Sequence, residues 1–306
     1  MASFAASSSG RGDDPPLPYH PENSKVFEPG YHPHLTDVHK EGLRQIAAMV
    51  DADEEVRDLF YNQGDSENAT LRLLRFLRAR KFEPNNSFAM LKKDLLWRRD
   101  VVGFKMKCEL AQDILKCDLN EIHKYFPCWI QGYDKQHRPV SYRQFGKLEI
   151  WSVMKITTMD RLVKFHAWES EMSLRLMEIK SRETGYNIET MVVIIDAAGW
   201  SMKLATGDAF TFIKGMATTD ADHYPERLGT LLIINAPSVL SFAWKIISAF
   251  LDDVTKAKIS IMSSPLEWQP KLFALVDKEQ VPRMYGGLAD DLGENCILTM
   301  NPPPQA

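Results

Sequence analysis

The sequence predicts an α/β fold: a helical N-terminal domain followed by a lobe whose mixed or parallel sheet is covered by helices. Three observations carry this expectation. Between Thr36 and about Cys108 apolar residues recur at helical spacing without a strand-like run. From Trp129 onward, the short runs WIQGY, RPVSYRQF, MVVII, LLII and ISIM alternate with longer amphipathic segments. The last three runs are continuously apolar, which suits strands buried on both faces.

The 306 residues are 44% apolar, enough for one large domain with a helical extension. Residues 1–35 are rich in Ser, Gly and Pro, lack the apolar core of a secretory signal, and are expected to form a disordered arm. Residues 36–117 are assigned to the helical domain, 118–290 to the lobe and 291–306 to a tail. Ala2 stands where N-myristoylation requires glycine, and the terminal NPPPQA holds no prenylation box, so membrane contact is expected to be peripheral.

The first helix carries Leu43, Ile46, Ala47 and Val50, the second covers 70–82, and a third follows Pro84 with Phe88, Leu91, Leu95 and Leu96. On a wheel of about 100° per residue, Leu73, Leu74, Phe76 and Leu77 share one apolar arc, and Arg75 and Arg78 fall on the solvated side. Arg80 and Lys81 land inside the apolar arc if the helix continues. Unpaired cations there would cost on the order of several kcal/mol each, so they meet an anion or the helix ends first. Further on, DKQH between two strand-like runs reads as a hairpin turn. Residues 160–180 set Leu162, Phe165, Trp168, Met172, Leu176 and Ile179 on one helical face, and 208–217 form a shorter helix with Asp208 as N-cap.

The formal charge of −4 argues against nucleic acid as main partner. Cys108, Cys117, Cys128 and Cys296 show neither C-x-x-C spacing nor a dense framework, so reduced thiols in a cytosolic protein are expected. His166 and His223 lack a second ligand at metal-binding spacing and read as polar-face or loop residues. Enzyme signatures are wanting: MVVIID ends in an acid but no phosphate loop accompanies it, and GWSMK lacks the second glycine of a nucleophile elbow. Asp196 and Gly199 read as a strand end and turn.

Residues 239–251 offer only Ser241, Lys245 and Ser248 as polar side chains, in one narrow stripe. Thirteen residues make about 20 Å of helix, too short to span a bilayer. Such a segment is either a core helix buried on both sides or a movable lid over a lipid. Charged pairs flank it: Glu226 and Arg227 before LGTLLII, Thr255 and Lys258 before ISIM.

LRLLRFLRARKF, YPERLGTLLIINAP and FLDDVTKAKISIM, in that order along the chain, resemble the CRAL-TRIO lipid-binding family, specifically fungal and plant phosphatidylinositol transfer proteins. The resemblance runs from about Asn68 to Leu288. It implies a helical domain plus a lobe whose sheet is the floor of a cavity for one phospholipid, with no cofactor other than that lipid. It also implies that Arg80, Lys81, Glu226, Arg227, Thr255 and Lys258 line the inositol-phosphate site. Guanidinium and ammonium groups suit the phosphate, and Glu226 and Thr255 suit the sugar hydroxyls. Family members that carry phosphatidylcholine add a Ser-x-Thr pair and tyrosines. Here Met191, Val193, Ile130, Ser141 and Ser170 occupy those positions. The choline site is expected to be lost, leaving room at most for a less polar second ligand such as a sterol.

A diacyl lipid with about 30 methylenes would lose about 24 kcal/mol on entering bare water, so exchange is expected at a membrane. The segment 239–251 then acts as a gate, with Phe242, Trp244, Ile247 and Phe250 resting in the interface. The expected protein is a cytosolic monomer, not an enzyme, that transfers phosphatidylinositol and visits Golgi or endosomal membranes peripherally. Presentation of the lipid to a lipid kinase, or carriage of a sterol-like ligand, is the alternative.

Overall fold

Helix α1 (Asp37–Ala52) begins at a capping box in which the Thr36 hydroxyl accepts from the His39 amide and the His39 ring accepts from the Thr36 amide. The computed structural model describes residues 15–23, 27–62, 67–103 and 110–291. It divides into two units: Met1–Asp100 with Thr184–Asn187, and Val101–Glu183 with Ile188–Ala306. Cys108, Cys296, Ala2 and the tail beyond residue 291 lie outside the described residues; Cys117 and Cys128 are free thiols.

In the first unit, α1 is followed by α2 (Glu54–Asn62), α3 (Ala69–Ala79) and α4 (Pro84–Trp97). Their apolar stripes meet in a core that includes Ile46, Val50, Val56, Leu74, Phe76, Leu77, Leu91 and Leu95. The arginines of α3 depart from the expectation. Arg75 is buried, pairs with Glu67 at 2.7 Å and stacks on the Phe76 ring. Arg78 is half-buried with its guanidinium 4.0 Å from the centre of the Tyr31 ring. A wheel sorts residues by the helix alone, and here the preceding segment and Glu67 cover the face it left to solvent. Part of the N-terminal arm is ordered for the same reason: Tyr19 and Tyr31 are buried edge to face, and the Asn187 amide donates to the Pro18 carbonyl at 2.7 Å.

The second unit opens with α5 (Ala111–Leu115) and α6 (Leu119–His123). Strands β1 (Cys128–Tyr133) and β2 (Pro139–Arg143) form the expected hairpin, closed by Asp134, whose carboxylate accepts from the Gln136 and Arg138 amides and from the Arg138 guanidinium. There follow α7 (Ile150–Val153), α8 (Met159–Thr184), β3 (Met191–Asp196), α9 (Gly207–His223), β4 (Leu228–Ile234), α10 (Leu240–Ile247), α11 (Asp253–Ala257), β5 (Ile259–Ile261) and α12 (Pro265–Leu275). The sheet runs β1-β2-β3-β4-β5, antiparallel between the first two strands and parallel thereafter, with helices as the crossovers. Helix α9 is capped by Thr206, not Asp208, and runs on to His223, six residues past the expected end at 217. The segment 239–251 is the eight-residue α10 extended by a 3-10 turn at Ser248–Phe250.

The sheet's two faces differ. Val140, Tyr142, Val192, Ile194, Leu232 and Ile234 pack against Trp268, Leu272 and Tyr285 from α12 and the segment after it, in a closed core. On β3 the alternate residues Met191, Val193 and Ile195 are only half-buried although β3 is the central strand. The expectation of strands buried on both faces therefore holds for one face. The opposite face is covered incompletely by apolar side chains of α10.

Candidate functional site

The half-covered face can be built from register. Ile130, Ser141, Val193, Leu231 and Ile259 are successive partners across the five strands, so their side chains share one face in one row. One pleat further lie Cys128, Arg143, Ile195, Ile233 and Ile261. The β1–β2 end is shut: Ile130 is 0% exposed, and the Ser141 hydroxyl is buried without a hydrogen-bond partner. Arg143, two residues after Ser141, is buried and ion-paired at 3.1 Å with Glu169 of α8. Ser170, next to Glu169, turns its hydroxyl back to the His166 carbonyl at 3.0 Å. Toward β4 and β5 the face stays half-open at Met191, Val193, Leu231 and Ile259.

Helix α10 lies over this open end. Leu240 and Trp244 pack on Ala197, Ile233 and Ala236 with Ile195, Trp200, Leu231 and Ile259 around them. Ala243 and Ile247 border a small apolar void of about 20 Å³ that is also lined by Phe145, Leu148 and Phe210. Phe250 takes the Lys214 ammonium over its ring at 5.8 Å. Among the four aromatic or branched residues expected to face a membrane, Phe242 alone is exposed.

Four of the six expected head-group residues lie in the second unit, around the ends where β4 and β5 begin. Lys258 Nζ stands 3.4 Å from Glu226 Oε2, with the two side chains only 10% and 14% exposed. The strand pairing produces this proximity: the Leu231 amide donates to the Lys258 carbonyl, bringing the two strand entrances side by side. Glu226 has φ +60°, a left-handed conformation that costs a residue other than glycine on the order of 1–3 kcal/mol and turns the chain into β4. Arg227 follows, its Nη1 donating to the Glu189 carbonyl at 3.2 Å while its own carbonyl accepts from the Met191 amide. Two residues on, Gly229 is required: a Cβ there would lie 2.6 Å from Arg138 Nη1.

Thr255 sits in α11, one turn before Lys258. Its hydroxyl and amide both donate to Asp252, at 2.7 and 2.8 Å. Burial works to raise the Asp252 carboxyl, but the bonds from the Thr255 hydroxyl and nearby amides outweigh it and hold the group below the ordinary carboxylate range.

In the first unit, α3 ends at Ala79, before Arg80 and Lys81 can enter the apolar arc. The Phe82 amide donates to the Leu77 carbonyl at 2.7 Å, and Lys81 and Phe82 both adopt left-handed φ values, 52° and 59°. Phe82 then packs against the His39 ring, centroids 4.0 Å apart, anchoring the turn. Lys81 is exposed, and Arg80 is half-buried with Nη1 donating to the Ala79 carbonyl.

One group escaped the sequence reading. His166 and His223, expected on a polar face or loop, are each 7% exposed. His166 Nε2 lies 2.7 Å from Asp220 and its other nitrogen 4.0 Å from Glu169, so a chain of polar side chains runs from Arg143 through Glu169 and His166 to Asp220. Alternation along β2 puts Arg143 on the face of Ser141, but its partners come from helices distant in sequence. Asp196 ends β3 as expected, and its carboxylate accepts from the Ala198 amide, the Asn235 side chain and the Tyr285 hydroxyl, so it ties three segments together there. Among the described residues no group of three or more His, Cys, Asp or Glu is placed to hold a metal, and no helix is long and apolar enough to cross a membrane.

Comparison with known proteins agrees with this layout. Residues 43–93 match the CRAL/TRIO N-terminal domain and residues 123–287 the CRAL/TRIO domain. The SEC14 cytosolic factor of Kluyveromyces lactis is 32% identical over 239 residues, 78% of this chain and 77% of that protein. The phosphatidylinositol/phosphatidylcholine transfer protein SFH12 of Arabidopsis thaliana is 32% identical over 216 residues, which are 70% of this chain but 39% of the relative's length. The SEC14 cytosolic factor of Yarrowia lipolytica is 34% identical over 72% of this chain and 44% of its own. The crystal structure of Sfh5 has the same fold, with a TM-score of 0.62 over 84% of this chain and 89% of that one at 18% identity. A helical module followed by a five-stranded mixed sheet, matched by both domain models over more than half the sequence, makes the chain a member of the CRAL/TRIO family.

Proposed function

We propose that the chain binds phosphatidylinositol and carries it between membranes, catalysing no chemical reaction. The observation that carries this reading is the shielded Lys258–Glu226 pair, with Arg227 beside it, at the strand entrances bordering a half-covered apolar sheet face. Cations and a carboxylate at the rim of a greasy surface suit a ligand with an anionic phosphate, a hydroxylated ring and two acyl chains. Lys258 and Arg227 hold the phosphate, Glu226 and Thr255 accept from or donate to ring hydroxyls, and Arg80 and Lys81 complete the set by the family resemblance.

Phosphatidylcholine is disfavoured in this reading. Ile130, Ser141 and Ser170 offer no aromatic faces for a trimethylammonium group, and Met191 and Val193 offer no hydroxyl pair for its phosphate. Helix α10 with the turn after it, carrying Phe242, Trp244, Ile247 and Phe250, is the gate, and it opens at a membrane visited peripherally from the cytosol.

Vesicle-to-vesicle transfer tests the reading. Replacing Glu226→Gln and Lys258→Met together removes both charges and leaves no orphan. Phosphatidylinositol transfer is expected to fall at least about tenfold, equivalent to about 1.4 kcal/mol, with the thermal midpoint nearly unchanged. Wild-type protein is expected to move phosphatidylcholine poorly. Efficient phosphatidylcholine transfer, or full phosphatidylinositol transfer by the double variant, would refute the assignment.

A further inference from the structure

Strands β3, β4 and β5 are parallel, so the chain leaves all three at the same edge of the sheet, opposite the entrances that hold Glu226 and Lys258. Backbone bonds continue past the strand ends, from the Ala197 amide to the Ile234 carbonyl and from the Ala236 amide to the Met262 carbonyl, keeping the three exits adjacent. Each exit presents large apolar side chains to solvent. Met202 is 50% exposed after β3, Val239 and Phe242 are 37% and 51% exposed after β4, and Leu266 is 88% exposed after β5.

Folding gains nothing from this arrangement, since apolar side chains left in water contribute no burial. Among the described residues Leu266 is the most exposed large hydrophobic one, and it stands in the first turn of α12 where the Ser264–Glu267 capping box fixes the backbone. Exposed Lys203 and Lys245 lie beside Met202 and Phe242. Of the acidic groups near this edge, Glu267 is engaged by the Ser263 and Ser264 amides, while Asp208 is exposed.

We infer that this edge is a bilayer-docking surface in which Met202 and Leu266, outside the gate helix, insert with Val239 and Phe242 between phospholipid head groups. The occupant is a lipid surface because the side chains project separately from the segments that follow three strands, and two lysines flank them at head-group level. Insertion dominates over charge, because the lysines are few and Asp208 opposes them. The inference rests on the lipid-carrier reading only in taking the surface to be a membrane.

Co-sedimentation of the full chain with vesicles of phosphatidylcholine alone, and with a fifth of it replaced by phosphatidylserine, tests the idea. Wild type is expected to bind both, the anionic vesicles a few-fold better. Met202→Glu with Leu266→Glu should lower the bound fraction at least fivefold on both, and Leu266→Ala alone about twofold. Val254→Glu, at an exposed residue of α11 on the approach to the opposite end of β5, should bind like wild type. Wild-type failure to sediment, equal losses for Val254→Glu, or unchanged binding of the double variant overturns the inference. Phosphatidylinositol extracted with the purified wild-type protein is measured in parallel. Its presence alongside unchanged sedimentation of the double variant sinks the docking edge alone, and its absence alongside lost sedimentation of the double variant sinks the lipid assignment alone.

Discussion

Asp196 shows how one side chain can look like chemistry and serve architecture. An acid ending an apolar strand invites a metal or a catalytic role, yet both oxygens are occupied by donors from Ala198, Asn235 and Tyr285, and Asn235 in turn accepts from the Trp268 indole at 3.0 Å. Asp196→Ala would take their acceptor from the buried Tyr285 hydroxyl and the half-buried Asn235 amide, so a loss of about 2–4 kcal/mol is expected in denaturant unfolding. Phosphatidylinositol affinity per folded molecule should be unaffected, which separates this residue from Glu226 and Lys258. An unchanged unfolding midpoint would mean that the three segments are held by other contacts.

At the scale of elements, the end of α3 links stability to the expected site. Lys81 takes a left-handed conformation that glycine adopts without cost and other residues adopt at about 1 kcal/mol or more. Lys81→Gly is therefore expected to raise the folding stability by about 1 kcal/mol while weakening phosphatidylinositol binding, a gain and a loss read by thermal unfolding and by lipid transfer. Loss of both would show that the lysine side chain, half a turn beyond the helix, carries structural contacts. Periodicity foresaw this helix but not its stop. Pro84 marks where a new helix can begin, whereas the termination at Ala79 is set by Phe82 finding a place against His39 and Gly42 of α1. Helix α9 teaches the same lesson, since Thr206 and Asp208 are both good caps and tertiary packing selects the earlier one.

Across the second unit, the sheet divides the labour between its faces. One is closed by α12 and contributes stability. The other is left loosely covered, and the proposed function assigns the lipid's chains to it. The contrast can be measured. Val193→Trp, on the loose face, is expected to change stability by less than about 1 kcal/mol, below the roughly 1–3 kcal/mol usual for overpacking a filled core, while abolishing lipid uptake. Ile194→Ala, one residue away on the closed face, should cost about 2–5 kcal/mol. Equal costs at the two positions would mean that both faces are filled. Local sequence determined the elements, because helical spacing, β-branched runs and the Asp134 turn act over a few residues and need no partner. The motifs around Glu226 and Lys258 also named candidate residues from sequence alone. Only the tertiary structure decided which face of β3 stays open, that Arg143 and His166 are buried against Glu169 and Asp220 of other elements, and that the segments after three strands place exposed apolar groups on one edge. Those outcomes depend on which distant segment covers a given surface, and neither periodicity nor spacing encodes that.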